Sequence, residues 1–285
     1  IVNSTRDISD KTGNGYDQDQ SYDNINPKLG VIYQLSDTIR FFANVSKTSE
    51  APTYWELVSA SVSPANAEIS AIQINDLDSQ DSTTIEIGSS GTINKTQWNF
   101  ALYRSNVDNE LISIVNDFAV NGQTSNYQEG TVHQGLELEI IQDIGTDILA
   151  QGDNLSSKLV YNYSDFYFDG GEYNNNQIAG IPEHMAQFEL RYQVGDFYIA
   201  PSVKWQIDDT PIDHANNQFQ DSYTLLSLQM AYQVNKQLKI YFDGQNLTDE
   251  TYQTSYVIRG FSAEQQPSFL PGFGTTASIG INYKF

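Results

Sequence analysis

The segment "DDTPIDHANNQFQD", residues 208–221, sets His214 among Asp208, Asp209 and Asp213. An imidazole beside carboxylates is a transition-metal ligand set; the plainer reading is an exposed ring on a solvated loop. A second oxygen-rich run, "NDLDSQD", spaces Asp76, Asp78 and Asp81 closely. It would suit a hard cation, yet it lacks the glycine and distal glutamate of a helix-loop-helix calcium site. Asp76, Asp78, Asp81 and His214 are therefore the metal candidates, set against ordinary solvated acids. The other histidines, His133 and His184, are scattered without a paired spacing.

Two stretches combine aromatic rings with charge, the chemistry of small-ligand capture. Residues 49–81 hold Tyr54, Trp55, Glu56 and Glu68, and no Lys or Arg occurs between Lys47 and Lys95. Residues 249–271 hold Tyr252, Tyr256, Arg259 and Phe261, with Arg259 the segment's only cation. A guanidinium there would take an anionic chelate or a carboxylate, or simply pack the loop. Covalent chemistry has no footing. Cysteine is absent, so there is neither a thiolate site nor a disulfide. No G-x-S-x-G run occurs, and His133 is the one mid-strand base. The sequence predicts no enzyme and no resident cofactor.

These candidates need elements to hold them. The net charge of −22 and pI near 4.1 exclude a nucleic-acid partner, which requires a basic stripe. Mean hydropathy is −0.44 and no 18-residue apolar run exists, which excludes a membrane-spanning helix. The chain opens on Ile1 with no targeting pattern, as expected of a processed product or a piece of a longer protein.

The hydrophobic period is two, as in strands. In "AQFELRYQV", Phe188, Leu190, Tyr192 and Val194 oppose Gln187, Glu189, Arg191 and Gln193. In "GLELEI", Leu136, Leu138 and Ile140 oppose Glu137 and Glu139. Eleven strands are predicted, near 28–35, 38–48, 82–92, 95–116, 129–143, 155–168, 184–194, 197–207, 222–233, 236–248 and 272–285. Alternation slips around "SNVDNE", which predicts a bulge or a strand running past the membrane. Short connections alternate with long polar ones at 49–81, 117–128, 169–183, 208–221 and 249–271. That layout puts the long loops at one end of an antiparallel up-and-down transmembrane β-barrel, with 1–27 a further extracellular loop. A soluble sandwich is the alternative. Charges in mid-strand (Glu137, Glu139, Glu189, Arg191, Asp243) and aromatics near strand ends (Trp98, Tyr192, Trp205, Tyr232) favour a wet lumen and interfacial girdles. An odd strand count suits part of a larger barrel, since bacterial single-chain barrels have even counts.

Several of these segments resemble one family, the TonB-dependent outer-membrane receptors. They are "NPKLGVIYQLSDTIRFFANVSKTSEAPTYWEL", "TTIEIGSSG" and "YFDGQNLTDETY", the last with Asn246, Leu247, Thr248, Asp249 and Glu250 at a family signature. The resemblance implies a 22-stranded barrel of which residues 1–285 form about the last eleven strands, with the plug domain and TonB box elsewhere. It implies a bacterial outer-membrane location and energised uptake of a scarce ligand, most readily an iron–siderophore or similar chelate. Receptors for pyrroloquinoline quinone share the weaker subgroup likeness, and a passive pore is the alternative if no plug exists. The implied partners are outer-membrane lipid and lipopolysaccharide, the TonB–ExbB–ExbD system through the plug, and a small-molecule ligand. The ending "SIGINYKF" also resembles the C-terminal signal read by the barrel-assembly machinery, with Ser278, Gly280, Tyr283 and Phe285 in its positions.

Overall fold

The structure, a computed structural model, describes residues 2–9, 11, 18–62, 69–114, 123–263 and 269–285. Glu68 and residues 117–122 of an expected loop lie outside the described residues. One eleven-stranded sheet dominates. Its strands are β1 (Lys28–Ser36), β2 (Ile39–Glu50), β3 (Gln80–Ile93), β4 (Thr96–Asp108), β5 (Thr131–Thr146), β6 (Asp153–Phe168), β7 (His184–Val194), β8 (Phe197–Gln206), β9 (Tyr223–Gln233), β10 (Leu238–Gln245) and β11 (Thr276–Tyr283). Each pairs antiparallel with the next in chain order, so every expected strand is present.

The register shows why the alternation matters. Val31 faces Ala43, then Ile87, Leu102, Leu136 and Tyr163 across successive strands. Ile281, Ile240, Tyr232 and Phe197 form a matching row at the other edge. Over the middle of the sheet one face is thus apolar, and much of it is bare: Val31 is 63% exposed and Ile281 68%; towards the long connections the same face turns polar at Arg104, Gln134 and Asp165. Among the described residues no second layer covers it, as a sandwich would require. The opposite face carries Asn44, Glu86, Glu137, Glu189, Lys204 and Asp243. A single sheet with one bare apolar face and one polar face has the two-sided pattern of a barrel wall between lipid and water.

Short turns at 37–38, 94–95, 147–152, 195–196 and 234–237 leave one end of the sheet and the long connections leave the other. Two boundaries correct the sequence reading. The strand expected over 95–116 ends at Asp108, because Asn109 takes a left-handed φ of 54°, a conformation asparagine tolerates better than most residues. The chain then leaves the main sheet as Glu110–Ile114 and pairs with Gln123–Tyr127. The last strand ends at Tyr283, so Phe285 lies beyond it, fully exposed, with its ring 5.2 Å from that of Tyr283. Gly280 has a steric reason: a Cβ there would sit 2.1 Å from the Tyr241 ring that crosses it. Ser278 is in register with Asp243.

The long connections are not structureless. Hairpins form from Val2–Ile8 with Gln18–Asn24, Val58–Val62 with Ile69–Ile74, Thr210–Pro211 with Phe219–Gln220, and Gln253–Tyr256 with Phe269–Pro271. The buried apolar side chains Leu57, Leu77, Val107, Ile112, Phe168 and Ile212 lie at this end. Among the described residues the larger buried apolar side chains thus gather on the connections and on the strand ends that meet them.

Candidate functional site

The long-loop end contains two packed bodies. The first is built around Phe168, the last residue of β6, which is fully buried. The rings of Tyr127, Tyr173 and His214 stand 4.7, 5.2 and 5.1 Å from it. Each comes from a different connection, so one phenylalanine gathers three loops. Polar contacts fix the arrangement. The Tyr127 hydroxyl donates to the Gly170 carbonyl at 2.6 Å. Asn216, at φ 54°, accepts from the Gln177 amide at 2.8 Å and donates back to the Gln177 carbonyl at 3.0 Å. Asp213 is wholly buried, and its carboxylate accepts from the amides of Asn217 at 2.8 Å, Gln218 at 3.3 Å and Ser262 at 2.7 Å. Such charge-assisted bonds make burial of a carboxylate tolerable.

His214 is 3% exposed. Its Nδ1 accepts from the Ala179 amide at 3.4 Å, while its own amide donates to the Arg259 carbonyl at 3.0 Å. Burial pushes its pKa down to about 4, with Glu110 and Asp213 pulling only partly the other way. A neutral imidazole used as a packing ring and backbone acceptor is the result. The expected ligand set does not assemble around it: Asp213 serves backbone amides, and Asp209 accepts from the Ser222 amide at 2.7 Å. Among the described residues, no group of three His, Asp or Glu gathers to hold a metal.

The second body surrounds Leu57, which is fully buried at the end of the one-turn helix α1 (Tyr54–Leu57). Glu56 is spent on the helix itself. Its carboxylate accepts from the Thr53 amide at 2.6 Å and hydroxyl at 2.8 Å, a capping box. Arg6 donates to the Pro52 carbonyl at 2.9 Å and lies 5.6 Å from the Tyr54 ring centroid. Gln20 reaches the Asn75 carbonyl at 3.2 Å and Tyr22 the Leu77 carbonyl at 3.1 Å, which ties the hairpin of Val2–Ile8 and Gln18–Asn24 to this body. Asp81 pairs with Lys47 at 2.8 Å and accepts from the Ser49 hydroxyl. Asp76 and Asp78 stay exposed. Trp55 projects outward at 86% exposure.

Of the remaining candidates, Tyr252 packs on Tyr223, ring centroids 5.0 Å apart. Burial raises the pKa of the Tyr256 hydroxyl, which has no hydrogen-bond partner among the described residues. Phe261 is 65% exposed beside Ser262, which donates to Asp213. The structure thus brings His214, Arg259 and Phe261 together and leaves Tyr54, Trp55 and Glu56 in the other body. Sequence reasoning passed over Phe168, Tyr127 and Tyr173 as binders of loops. Asp213 and Asn216 carried a faint signal, since closely spaced Asp and Asn mark side-chain-stabilised turns.

Residues 2–247 match the family described as TonB dependent receptor-like, beta-barrel. This chain belongs to that family. Its fold is shared with solved TonB-dependent receptors at low identity. The ferric citrate transporter FecA, unliganded, matches with a TM-score of 0.74 at 20% identity, over 95% of this chain and 40% of that one. The copper transporter OprC matches at 0.73 and 17%, over 99% and 43%. The ferric yersiniabactin uptake receptor FyuA from Yersinia pestis matches at 0.71 and 16%, over 94% and 38%. The chain spans about two fifths of the length of these receptors. The family signature at Asn246 acquires a physical role here. Asn246 is buried at φ 48°, donates to the carbonyls of Glu250 at 2.8 Å and Phe273 at 3.0 Å, and accepts from the Glu250 amide at 2.8 Å. Asp249 accepts from the Thr275 amide at 3.0 Å. The signature locks the chain where it leaves β10 and re-enters β11.

Proposed function

We propose that this chain is the C-terminal part of an outer-membrane receptor that takes up a scarce chelate, an iron–siderophore or one of similar size, under TonB energy. The observation that carries the reading is the outward display of Trp55, Tyr54 and Phe261 on folded loops, at the end of a TonB-dependent receptor barrel where all long connections lie. Aromatic faces supply contact area at low entropy cost, which suits capture of a bulky ligand.

Charge narrows the ligand. The segments 1–27, 49–81, 117–128, 169–183, 208–221 and 249–271 hold 22 of the 36 Asp and Glu but only 3 of the 14 Lys and Arg. A field of that sign concentrates cations and repels anions at the mouth. It favours a neutral or cationic chelate and disfavours a carboxylate-bearing quinone. The test is uptake of radiolabelled iron, supplied as chelates of graded charge, by cells with and without the full-length gene. Gene-dependent uptake of a neutral or cationic chelate supports the reading. Uptake unchanged by deletion for every chelate sinks it, and gene-dependent uptake of anionic chelates alone overturns the charge assignment.

The C-terminal signal is part of the same proposal. Phe285→Ala leaves all strand pairs intact, so its effect should fall on insertion. Reduced outer-membrane levels of the full-length variant are expected, and wild-type levels would contradict the assignment.

A further inference from the structure

On the polar face, towards the short turns, Arg191 of β7 and Lys239 of β10 converge on one ring. The Arg191 guanidinium carbon lies 4.0 Å from the Tyr198 ring centroid and the Lys239 ammonium nitrogen 5.4 Å from it. The strand between β8 and β10 makes this reach possible. Ala231 of β9 is in register with Tyr198 on one side and Tyr241 on the other, and Ala200 is opposite Gln229. Both alanines are buried, at 4% and 1% exposure. They form a floor of small residues on which the longer side chains lie.

Among the described residues neither cation has an anionic partner. Lys47, Lys95 and Lys158 pair with carboxylates, and Arg40 and Arg104 donate to Ser90 and Gln134. The side chains of Arg191 and Lys239 make no hydrogen bond or ion pair with any described residue. The two charges lie within about a Debye length, about 10 Å, so they repel unless an anion sits between them. A ring face favours each cation singly and leaves their mutual repulsion in place.

We propose that Arg191 and Lys239, held over Tyr198, bind an oxyanion, a carboxylate or phosphate, on the lumen side of the barrel wall. With phosphate the guanidinium fork takes two oxygens and the ammonium a third; with a carboxylate the two cations share its two oxygens. This chemistry has two sources: a free anion in the lumen, or a carboxylate elsewhere in the receptor, whose solved relatives are more than twice as long as this chain.

Thermal unfolding of the full-length receptor in a zwitterionic detergent separates them. Inorganic phosphate is titrated against chloride at matched ionic strength, in wild type and in the Arg191→Met/Lys239→Met variant, which keeps the apolar stems. For a free anion, phosphate raises Tm by several degrees in wild type and leaves the double variant unmoved. For an internal carboxylate, phosphate leaves wild type unmoved and the double variant melts several degrees lower, with a difference that shrinks at high salt. Arg191→Lys should then retain most of the stability, which a loss of packing would not allow. The inference is overturned if phosphate has no effect and the double variant melts within a degree of wild type or above it, since relief of bare repulsion raises Tm.

Discussion

Around Phe168, four loop segments meet through three rings, a buried neutral imidazole and a carboxylate whose oxygens are taken up by backbone amides. Around Leu57, the helix is a single turn, its glutamate closes its own cap, and its tryptophan points into solvent. Both bodies grow from acidic, polar connections at the same end of the same sheet. The difference is what each does with its aromatics. The first turns Tyr127, Phe168 and Tyr173 inward as a scaffold and carries Phe261 exposed on its surface. The second has both aromatics of its helix, Tyr54 and Trp55, exposed. The two complement each other under the proposed function, because a ligand-contacting ring is useful only on a support that does not fray.

The sharpest way to separate the two is Phe168→Ala. Removing a fully buried phenylalanine costs about 3–5 kcal/mol. Hydrogen exchange should show protection lost across 169–183 and 208–221 and retained in Val58–Val62. Equal loss in both bodies would mean that they are one unit. Acidification comes next and should act on the first body alone. His214 has a lowered folded pKa, about 4 against an ordinary value of 6.5. Between those values the unfolded loop takes up a proton that the folded one refuses. Stability is therefore full above about pH 6.5 and falls as pH drops towards 4, by roughly 3 kcal/mol at 1.36 kcal/mol per unit. Exchange measured with pH-corrected rates should show this slope in wild type and not in His214→Phe. A slope that persists in the variant would assign it to other groups.

Asp213→Asn should cost about 1–3 kcal/mol, because one oxygen that accepted amides becomes a donor. The loosening should appear at 216–218 and 262, and unchanged exchange there would remove Asp213 from the scaffold. The mildest change is in the other body. Trp55→Ala should leave stability within about 0.5 kcal/mol, as for an exposed side chain, while weakening chelate capture by the full-length receptor. An unchanged dissociation constant would mean that Trp55 is not part of the display.

The sheet was legible in the sequence because each strand carries its own period-two pattern, and an up-and-down order follows from connection length alone. The β4 boundary was not, since a single left-handed Asn109 ends it. The Thr53–Glu56 capping box was also written locally, yet the same glutamate reads as a ligand when taken for its charge. The body around Phe168 could not be read, because Tyr127, Phe168 and His214 lie tens of residues apart. Only the folded register places them together. His214 and Asp213 look like metal-ligating residues on a solvated loop, and burial converts them into scaffold.

The most direct test of the account is iron uptake by cells carrying the full-length receptor, with a neutral or cationic chelate offered beside an anionic one of similar size. The account predicts gene-dependent uptake of the first, reduced by Trp55→Ala at unchanged surface level, and little of the second. Uptake confined to the anionic chelate, or uptake of both that is indifferent to the gene, would contradict it.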